Sequence, residues 1–388
     1  MYTLDIFTLE QNQSKKGDSV TLKSAAVPVL AFCALCLMFS CENFPYKPTE
    51  FVAPKVPPPP NAFVPKDSIT KFVGNPNATV KLAYTLTSTG SSQTVYFVNF
   101  NDSVVEPREI KKDNTRSDWD AWCPILSPNG ALVTYYLRSG TQAELYCQAL
   151  DTGATPILIG SGSEPHFYKD NQGLYITYTD ANGIMLIGTS TTLTGYHTYK
   201  QRVDPATGQT IGSPALIASY PFYCGMSTNG TYICTGYSSA YIYNCSTSLF
   251  FAINPGQQTC NPSMTPDSVF TGRMMFLNIG GHEQLNQLPP EDTGKVGQHK
   301  FVFIADTNNT YITGFDITML PAYASGEWQC PKWTNIPDVF CVLATKSSLT
   351  YDCFLVSIST GHTLLLNVKP ALLQFQSSSK PYVYIGGN

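Results

Sequence analysis

Charge is scarce in this sequence. Asp, Glu, Lys and Arg make up 13% of the residues, about half of the roughly 25% usual in soluble domains, so surface polarity has to come from Ser, Thr, Asn, Gln and Tyr. Positive charge is the minority, 23 Lys and Arg against 27 Asp and Glu, and without a basic stripe there is no electrostatic footprint for nucleic acid. The spacings of common catalytic sites are missing too: no Gly-x-Ser-x-Gly, no His-Glu-x-x-His and no phosphate-cradling glycine loop. Beyond residue 41 there is no Cys-x-x-Cys and no Cys/His spacing suited to zinc. The sequence asks for no cofactor and no metal, and on motif grounds it reads as non-enzymatic. Helical periodicity is likewise absent from the long stretch after residue 41.

What is plentiful belongs to β-structure. With 23 Tyr, 21 Phe, 28 Gly and 28 Pro, the chain is rich in strand formers and in residues that punctuate turns. One phrase organises them. Pro124-Ile-Leu-Ser-Pro-Asn-Gly130 leads into Ala-Leu-Val-Thr-Tyr135, and Pro165-His-Phe-Tyr-Lys-Asp-Asn-Gln-Gly173 into Leu-Tyr-Ile-Thr-Tyr178. Cys224-Gly-Met-Ser-Thr-Asn-Gly230, Pro262-Ser-Met-Thr-Pro-Asp267 and Pro331-Lys-Trp-Thr-Asn-Ile-Pro-Asp338 continue the series. The intervals from Pro124 to Pro165 and from Cys224 to Pro262 each fit one four-stranded blade, and the longer ones, Pro165 to Cys224 and Pro262 to Pro331, leave room for a loop insertion. Pro lacks an N–H and suits the first residue of a short inner strand. Asn and Gly accept positive φ and reverse the chain tightly.

A repeated hairpin cannot bury both of its faces alone, and repeats of this length stack radially. The expected fold is all-β, a β-propeller of six four-stranded blades rather than five or seven. Lys81-Leu-Ala-Tyr-Thr-Leu86 and Thr94-Val-Tyr-Phe-Val-Asn-Phe100 precede the first full phrase, and Pro381-Tyr-Val-Tyr-Ile385 stands alone at the other end. Strands from both termini would make one composite blade and leave no open edge at the closure.

These copies resemble the TolB-type (WD40-like) β-propeller repeat, in which Pro, any residue, an aromatic, Ser, Pro, Asp and Gly precede an apolar strand. The resemblance covers roughly 65–388, and Phe167 and Trp333 match its aromatic position. It implies a protein- or peptide-binding platform in the cell envelope, with the mouth of the central channel as the contact surface.

The N-terminus carries a separate signal. Ser24 to Ser40 is an apolar, charge-free run preceded by Lys23 and followed by Cys41. It looks like a bacterial lipoprotein signal peptide over 1–40, with Cys41 as the lipidated residue and a membrane as partner. A transmembrane anchor is the alternative. Asp5, Glu10 and Asp18 are unusual for such a leader, and initiation near Val20 would leave a compact basic start. The Pro-rich stretch within 41–66 reads as a semi-rigid tether ahead of a propeller over 67–388. Glu42 after the cysteine favours outer-membrane sorting in a cell with two membranes.

Candidate binding residues fall at the starts of inner strands: Asp120, Trp122, Glu164, His166, Phe222, Gln258, Glu327 and Trp328. Flat rings at a channel mouth suit peptides or sugars, so a surface carbohydrate-binding lipoprotein is a second reading, while the same aromatics also serve as blade-packing core. A polysaccharide hydrolase or lyase is a third, and it needs two carboxylates at a defined separation, drawn from Asp118, Asp120, Glu164 and Glu327. Nine cysteines follow Cys41, too many to pair completely. The pairs Cys234–Cys245 and Cys341–Cys353 have the spacing of cross-strand bridges, and small buried hydrophobes are the equal alternative.

Overall fold

The repeated phrase folds as two strands around its turn. The Ser127 hydroxyl donates to Asn129 Oδ1 (2.6 Å), and its oxygen accepts from the backbone N–H groups of Ala131 (3.2 Å) and Leu132 (2.9 Å). Gly130 N–H closes onto the Ser127 carbonyl at 2.8 Å. In a later copy, Ser227 donates to Asn229 Oδ1 (2.8 Å), accepts from Tyr232 N–H (3.0 Å), and Gly230 N–H returns to the Ser227 carbonyl at 2.8 Å. Like turn residues make the same bonds.

The computed structural model describes residues 62–87, 92–150, 153–180, 196–222, 225–227, 229–236, 240–266, 272–279, 283–294, 297–347, 350–367, 375 and 379–386. The leader, the lipidation candidate Cys41 and residues 42–61 lie outside them. Among the described residues a short helix, α1 (Lys66–Phe72), precedes 23 strands grouped into six antiparallel sheets. Blade 1 has the order β23 (Tyr382–Gly386), β1 (Thr79–Thr87), β2 (Gln93–Asn99), β3 (Arg108–Glu109). Blade 2 runs β4 (Asp120–Leu126), β5 (Leu132–Ser139), β6 (Gln142–Ala149), β7 (Ile157–Ser161). Blade 3 is β8 (Ser163–Asp170), β9 (Gly173–Thr179), β10 (Thr198–Val203), β11 (Thr210–Ala218). Blade 4 is β12 (Tyr232–Thr235), β13 (Ala240–Asn244) and β14 (Leu249–Ile253), its inner position held by a single bridge from Met226 to Ile233. Blade 5 comprises β15 (Thr259–Met264), β16 (Met274–Asn278), β17 (Phe301–Ala305), β18 (Tyr311–Asp316). Blade 6 comprises β19 (Glu327–Trp333), β20 (Val339–Ser347), β21 (Thr350–Ser357), β22 (Thr363–Leu365).

The composite blade forms as the sequence suggests: β23 pairs antiparallel with β1, Val383 opposite Leu82 and Ile385 opposite Val80. The domain starts earlier than residue 67, however. Phe63 bridges Asn367, Val64 N–H bonds the Leu366 carbonyl at 2.8 Å, and Ala62, Phe63 and Val64 are buried. Their apolar side chains complete the core shared by blades 6 and 1, which also holds Tyr84, Leu343, Leu355 and Ile385, so the propeller begins no later than Ala62.

Each seam between blades has its own apolar cluster: Phe97 with Tyr135 and Tyr384 between blades 1 and 2, Tyr136 with Ile176 between 2 and 3, Phe222 with Tyr243 between 3 and 4. Phe276 with Ile253 joins blades 4 and 5, and Phe315 with Phe340 joins 5 and 6. Turn glycines take part in these seams. A Cβ on Gly130 (φ +64°) would lie 2.5 Å from the ring of Tyr384 on the inner strand of the preceding blade, and one on Gly230 (φ +71°) 2.8 Å from Tyr168, again on the preceding inner strand. The Asn-Gly turn is therefore both a reversal and a slot for a neighbouring tyrosine.

The proline of the phrase is not at the strand start. Pro124, Pro165, Pro262 and Pro331 sit inside β4, β8, β15 and β19, at irregularities where the ladder skips from Trp122 to Ile125, Ser163 to His166, Cys260 to Ser263 and Gln329 to Lys332. A β-bulge leaves one residue unpaired, so the missing N–H costs nothing there. The residue before each proline has positive φ: Cys123 (48°), Glu164 (53°), Asn261 (45°) and Cys330 (50°); Lys380 (36°), before Pro381, does the same ahead of β23. Five inner strands thus turn one non-glycine residue each into a sparsely populated backbone region.

Candidate functional site

The bulges bring together residues distant in sequence. Glu164, 5% exposed, is the hub between blades 1, 2 and 3. Its carboxylate accepts from the Cys123 thiol (3.2 and 3.3 Å to the two oxygens) and from the Tyr136 hydroxyl (3.3 Å), and it pairs with the Lys380 ammonium at 3.7 Å. Both side chains of that pair are at least nine-tenths buried. Burial, and next the charge of Glu164, hold the Tyr136 phenol well above its usual pKa, so it stays a donor.

A second network spans blades 5 and 6. Asn261 donates to Gln329 Oε1 (3.4 Å), and Gln329 Nε2 reaches both Glu327 Oε1 (3.1 Å) and His299 Nδ1 (2.7 Å). Tyr351 donates to Glu327 Oε1 at 3.2 Å. His299 is 1% exposed, and burial lowers its pKa to about 4. The ring is neutral near pH 7, which lets Nδ1 accept from the Gln329 amide.

The candidate residues divide accordingly. Glu164 and Glu327 are hubs of the two networks. Asp120 fastens a seam instead: its Oδ1 accepts from the N–H of Gln93, at the start of β2 in blade 1, at 2.7 Å. Trp122 is half-buried, with the Arg138 guanidinium 4.4 Å and the Lys380 ammonium 5.8 Å from its ring centroid. His166 lies beside the inner segment of blade 4, where a Cβ on Gly225 would be 3.5 Å from its ring. Gln258 is half-buried immediately before β15. Two expectations fail. Phe222 is 1% exposed, its ring stacked on Tyr243 at 5.1 Å, and Trp328 is fully buried with Nε1 donating to the Phe315 carbonyl at 3.1 Å. Both are core, because burying a large ring contributes about 3 kcal/mol that a solvent-facing position forgoes.

Of the two alternatives for Cys234, Cys245, Cys341 and Cys353, the structure has free thiols rather than bridges. Cys234 faces Ile242 across β12 and β13 and packs in the cluster between blades 4 and 5, whereas Cys245 lies against the cluster between 3 and 4. The two point to opposite faces of one sheet. Cys341 and Cys353 are thiols in contact, Sγ to Sγ 3.4 Å, offset diagonally because Cys341 faces Leu355 and Cys353 faces Leu343. Cys260 is disulfide-bonded. Among the described residues no three of His, Cys, Asp or Glu gather as a metal site.

Sequence reasoning missed Cys123, Tyr136, Arg138, Lys380, Asn261, Gln329 and His299. The signal available for three of them was the position before each repeat proline, where chemically unlike residues recur.

No protein-family model and no curated protein matches the sequence. Solved structures match in fold. They include TolB from Acinetobacter baumannii, 13% identical over 78% of this chain and 66% of that one with a TM-score of 0.48. A putative TolB from Agrobacterium tumefaciens is 13% identical over 80% of this chain and 99% of that one, TM-score 0.46. The periplasmic gluconolactonase of Pseudomonas aeruginosa is 12% identical over 74% and 82%, TM-score 0.41. The structural neighbours are TolB proteins and other propellers, and the likeness is one of fold.

Proposed function

We propose that this protein is a non-catalytic platform of the cell envelope that binds a protein or peptide at the mouth of its channel, held to a bacterial membrane by a lipid on Cys41. One observation carries the binding reading. Three of the four carboxylates considered for catalysis are engaged in holding the ring together, Asp120 on the Gln93 N–H, Glu164 on Cys123, Tyr136 and Lys380, and Glu327 on Gln329 and Tyr351, while Asp118 alone is exposed. Hydrolysis of a glycosidic bond uses two carboxylates free to meet the substrate, and of these four only Asp118 is not committed to a protein donor among the described residues. The Cys260 disulfide supports an oxidising, extracytoplasmic location.

Affinity capture from detergent-solubilised envelopes tests the platform, with the full-length chain as bait and the Trp122→Ala variant as control. A partner retained by the wild type and lost with the variant is the expected result. Turnover of a polysaccharide abolished by Glu164→Gln or Glu327→Gln would replace the platform by an enzyme. Failure of Cys41→Ser to release the protein from membranes would remove the lipid anchor.

A further inference from the structure

We propose that the channel rim at blade 2 is a carboxylate-binding site, in which the Arg138 guanidinium and the Trp122 indole N–H receive an acidic group of the bound peptide. The proposal rests on the platform reading and names the chemistry it recognises.

The local charges decide which groups remain available. Lys380 is answered by Glu164 at 3.7 Å. Asp120 stands opposite Arg138 in the β4–β5 register, yet its Oδ1 is turned to the Gln93 N–H at 2.7 Å, and no ion pair joins it to Arg138. Arg138 is half-buried, lies 4.4 Å over the Trp122 ring, and among the described residues has no carboxylate and no hydrogen-bond acceptor. A guanidinium pinned on an aromatic face keeps its planar fork of donors for a partner in its own plane.

Trp122 supplies the second donor. Its Nε1–H is screened from solvent in the unliganded chain and has no acceptor among the described residues, a cost of about 1–3 kcal/mol, so a carboxylate seated on Arg138 meets it by turning the half-buried ring. By contrast, Trp328 and Trp333 both find backbone carbonyls, at 3.1 and 2.9 Å. The backbone that carries the indole is fixed: Trp122 pairs with Tyr136 across β4 and β5, and the Cys123 bulge follows it directly. Two unanswered donors on adjoining side chains, with an ammonium 5.8 Å from the same ring, match an anion that accepts from both.

A carboxylate fits better than a phosphate. It is planar and singly charged, and it pairs with the guanidinium edge-on. A phosphate dianion would add a second negative charge next to Asp120 and Glu164. The carboxylate can belong to an acidic side chain or to a peptide C-terminus.

The indole N–H resonances of the full-length, 15N-labelled protein report on this directly, with the Trp122 signal identified by its loss in Trp122→Phe. Three probes separate the sources: acetyl-tetraalanine with a free C-terminus, the same peptide amidated, and an amidated acetyl-Ala-Ala-Glu-Ala-Ala. The Trp122 signal should move downfield and saturate with a carboxylate-bearing peptide and stay still with amidated tetraalanine. Arg138→Gln should weaken that response at least tenfold with an unchanged melting temperature, and Arg138→Lys should recover part of it. No movement with either carboxylate peptide, an equal shift with the uncharged one, equal competition by inorganic phosphate, or wild-type affinity in Arg138→Gln would each overturn the site. If the peptides bind but no envelope partner is captured, the platform fails and the site stands. If a partner is captured equally by wild type and Arg138→Gln while the peptides give no shift, the site fails and the platform stands.

Discussion

Replacing Glu164 by Gln tests whether the bulged inner strands are held by charge. The substitution keeps the shape of the side chain and removes its charge, leaving the Lys380 ammonium, 10% exposed, without the carboxylate 3.7 Å away. Breaking one partner of a buried pair costs about 3–5 kcal/mol, because the remaining ion is still desolvated. For a domain of this size that corresponds to a fall in melting temperature on the order of 10 °C. Lys380→Met should cost a similar amount, since Glu164 then keeps only the Cys123 and Tyr136 donors. The double variant removes both charges, so it should be more stable than the sum of the two single effects implies, with a coupling above about 1 kcal/mol. Urea unfolding followed by tyrosine and tryptophan fluorescence closes the cycle. Single variants within about 0.5 kcal/mol of wild type, the range of an inert surface substitution, would show that Glu164 and Lys380 do not hold the blades together. Strictly additive effects would show the same.

The remaining expectations concern pH, cysteine chemistry and turn packing. His299 has a folded pKa of about 4 against an ordinary 6.5, so its contribution is complete above about pH 6.5 and is lost as the pH falls toward 4, when the unfolded chain takes up the proton first; the loss is about 3 kcal/mol. Stability measured across that window should fall less steeply in His299→Asn than in wild type. Alkylation in denaturant without reductant should label Cys123, Cys147, Cys234, Cys245, Cys330, Cys341 and Cys353 and spare Cys260 until reductant is added; peptide mass mapping decides. Gly130→Ala should destabilise more than Gly140→Ala, because both have positive φ, which costs about 1–2 kcal/mol for an L-residue, but only Gly130 also meets a ring, that of Tyr384, while the space beside Gly140 is open. Equal midpoints in urea for the two variants would refute that packing.

Much of the architecture was legible because it is local. Ser127-Pro-Asn-Gly130 and Ser227-Thr-Asn-Gly230 direct their own hydrogen bonds, so the turns follow from residue type. The lone strand at Pro381 found its place by elimination, since a ring needs a strand to pair with β1. The proline misled at one level down: its lack of an N–H is equally compatible with a strand start and with a bulge, and only the ladder separates the two. The expected contact residues show the same limit. A half-buried Trp122 and a fully buried Trp328 both lie near the start of an inner strand, and nothing local distinguishes them. The difference comes from packing across strands and seams: Phe315 of blade 5 and Phe340 of its own blade cover Trp328, whereas Arg138 of its own blade and Lys380 ahead of β23 lie against Trp122.

By itself, then, the sequence determined the strand-and-turn unit, the number of its copies and the composite blade that closes the ring, since these depend on backbone preferences and apolar periodicity along short segments. The tertiary structure alone decided what the inner strands present. Glu164 meets Cys123 of the preceding blade and Lys380 at the far end of the chain only because six blades close around one axis. Their pairing, unlike a turn, has no local cause in the residues on either side.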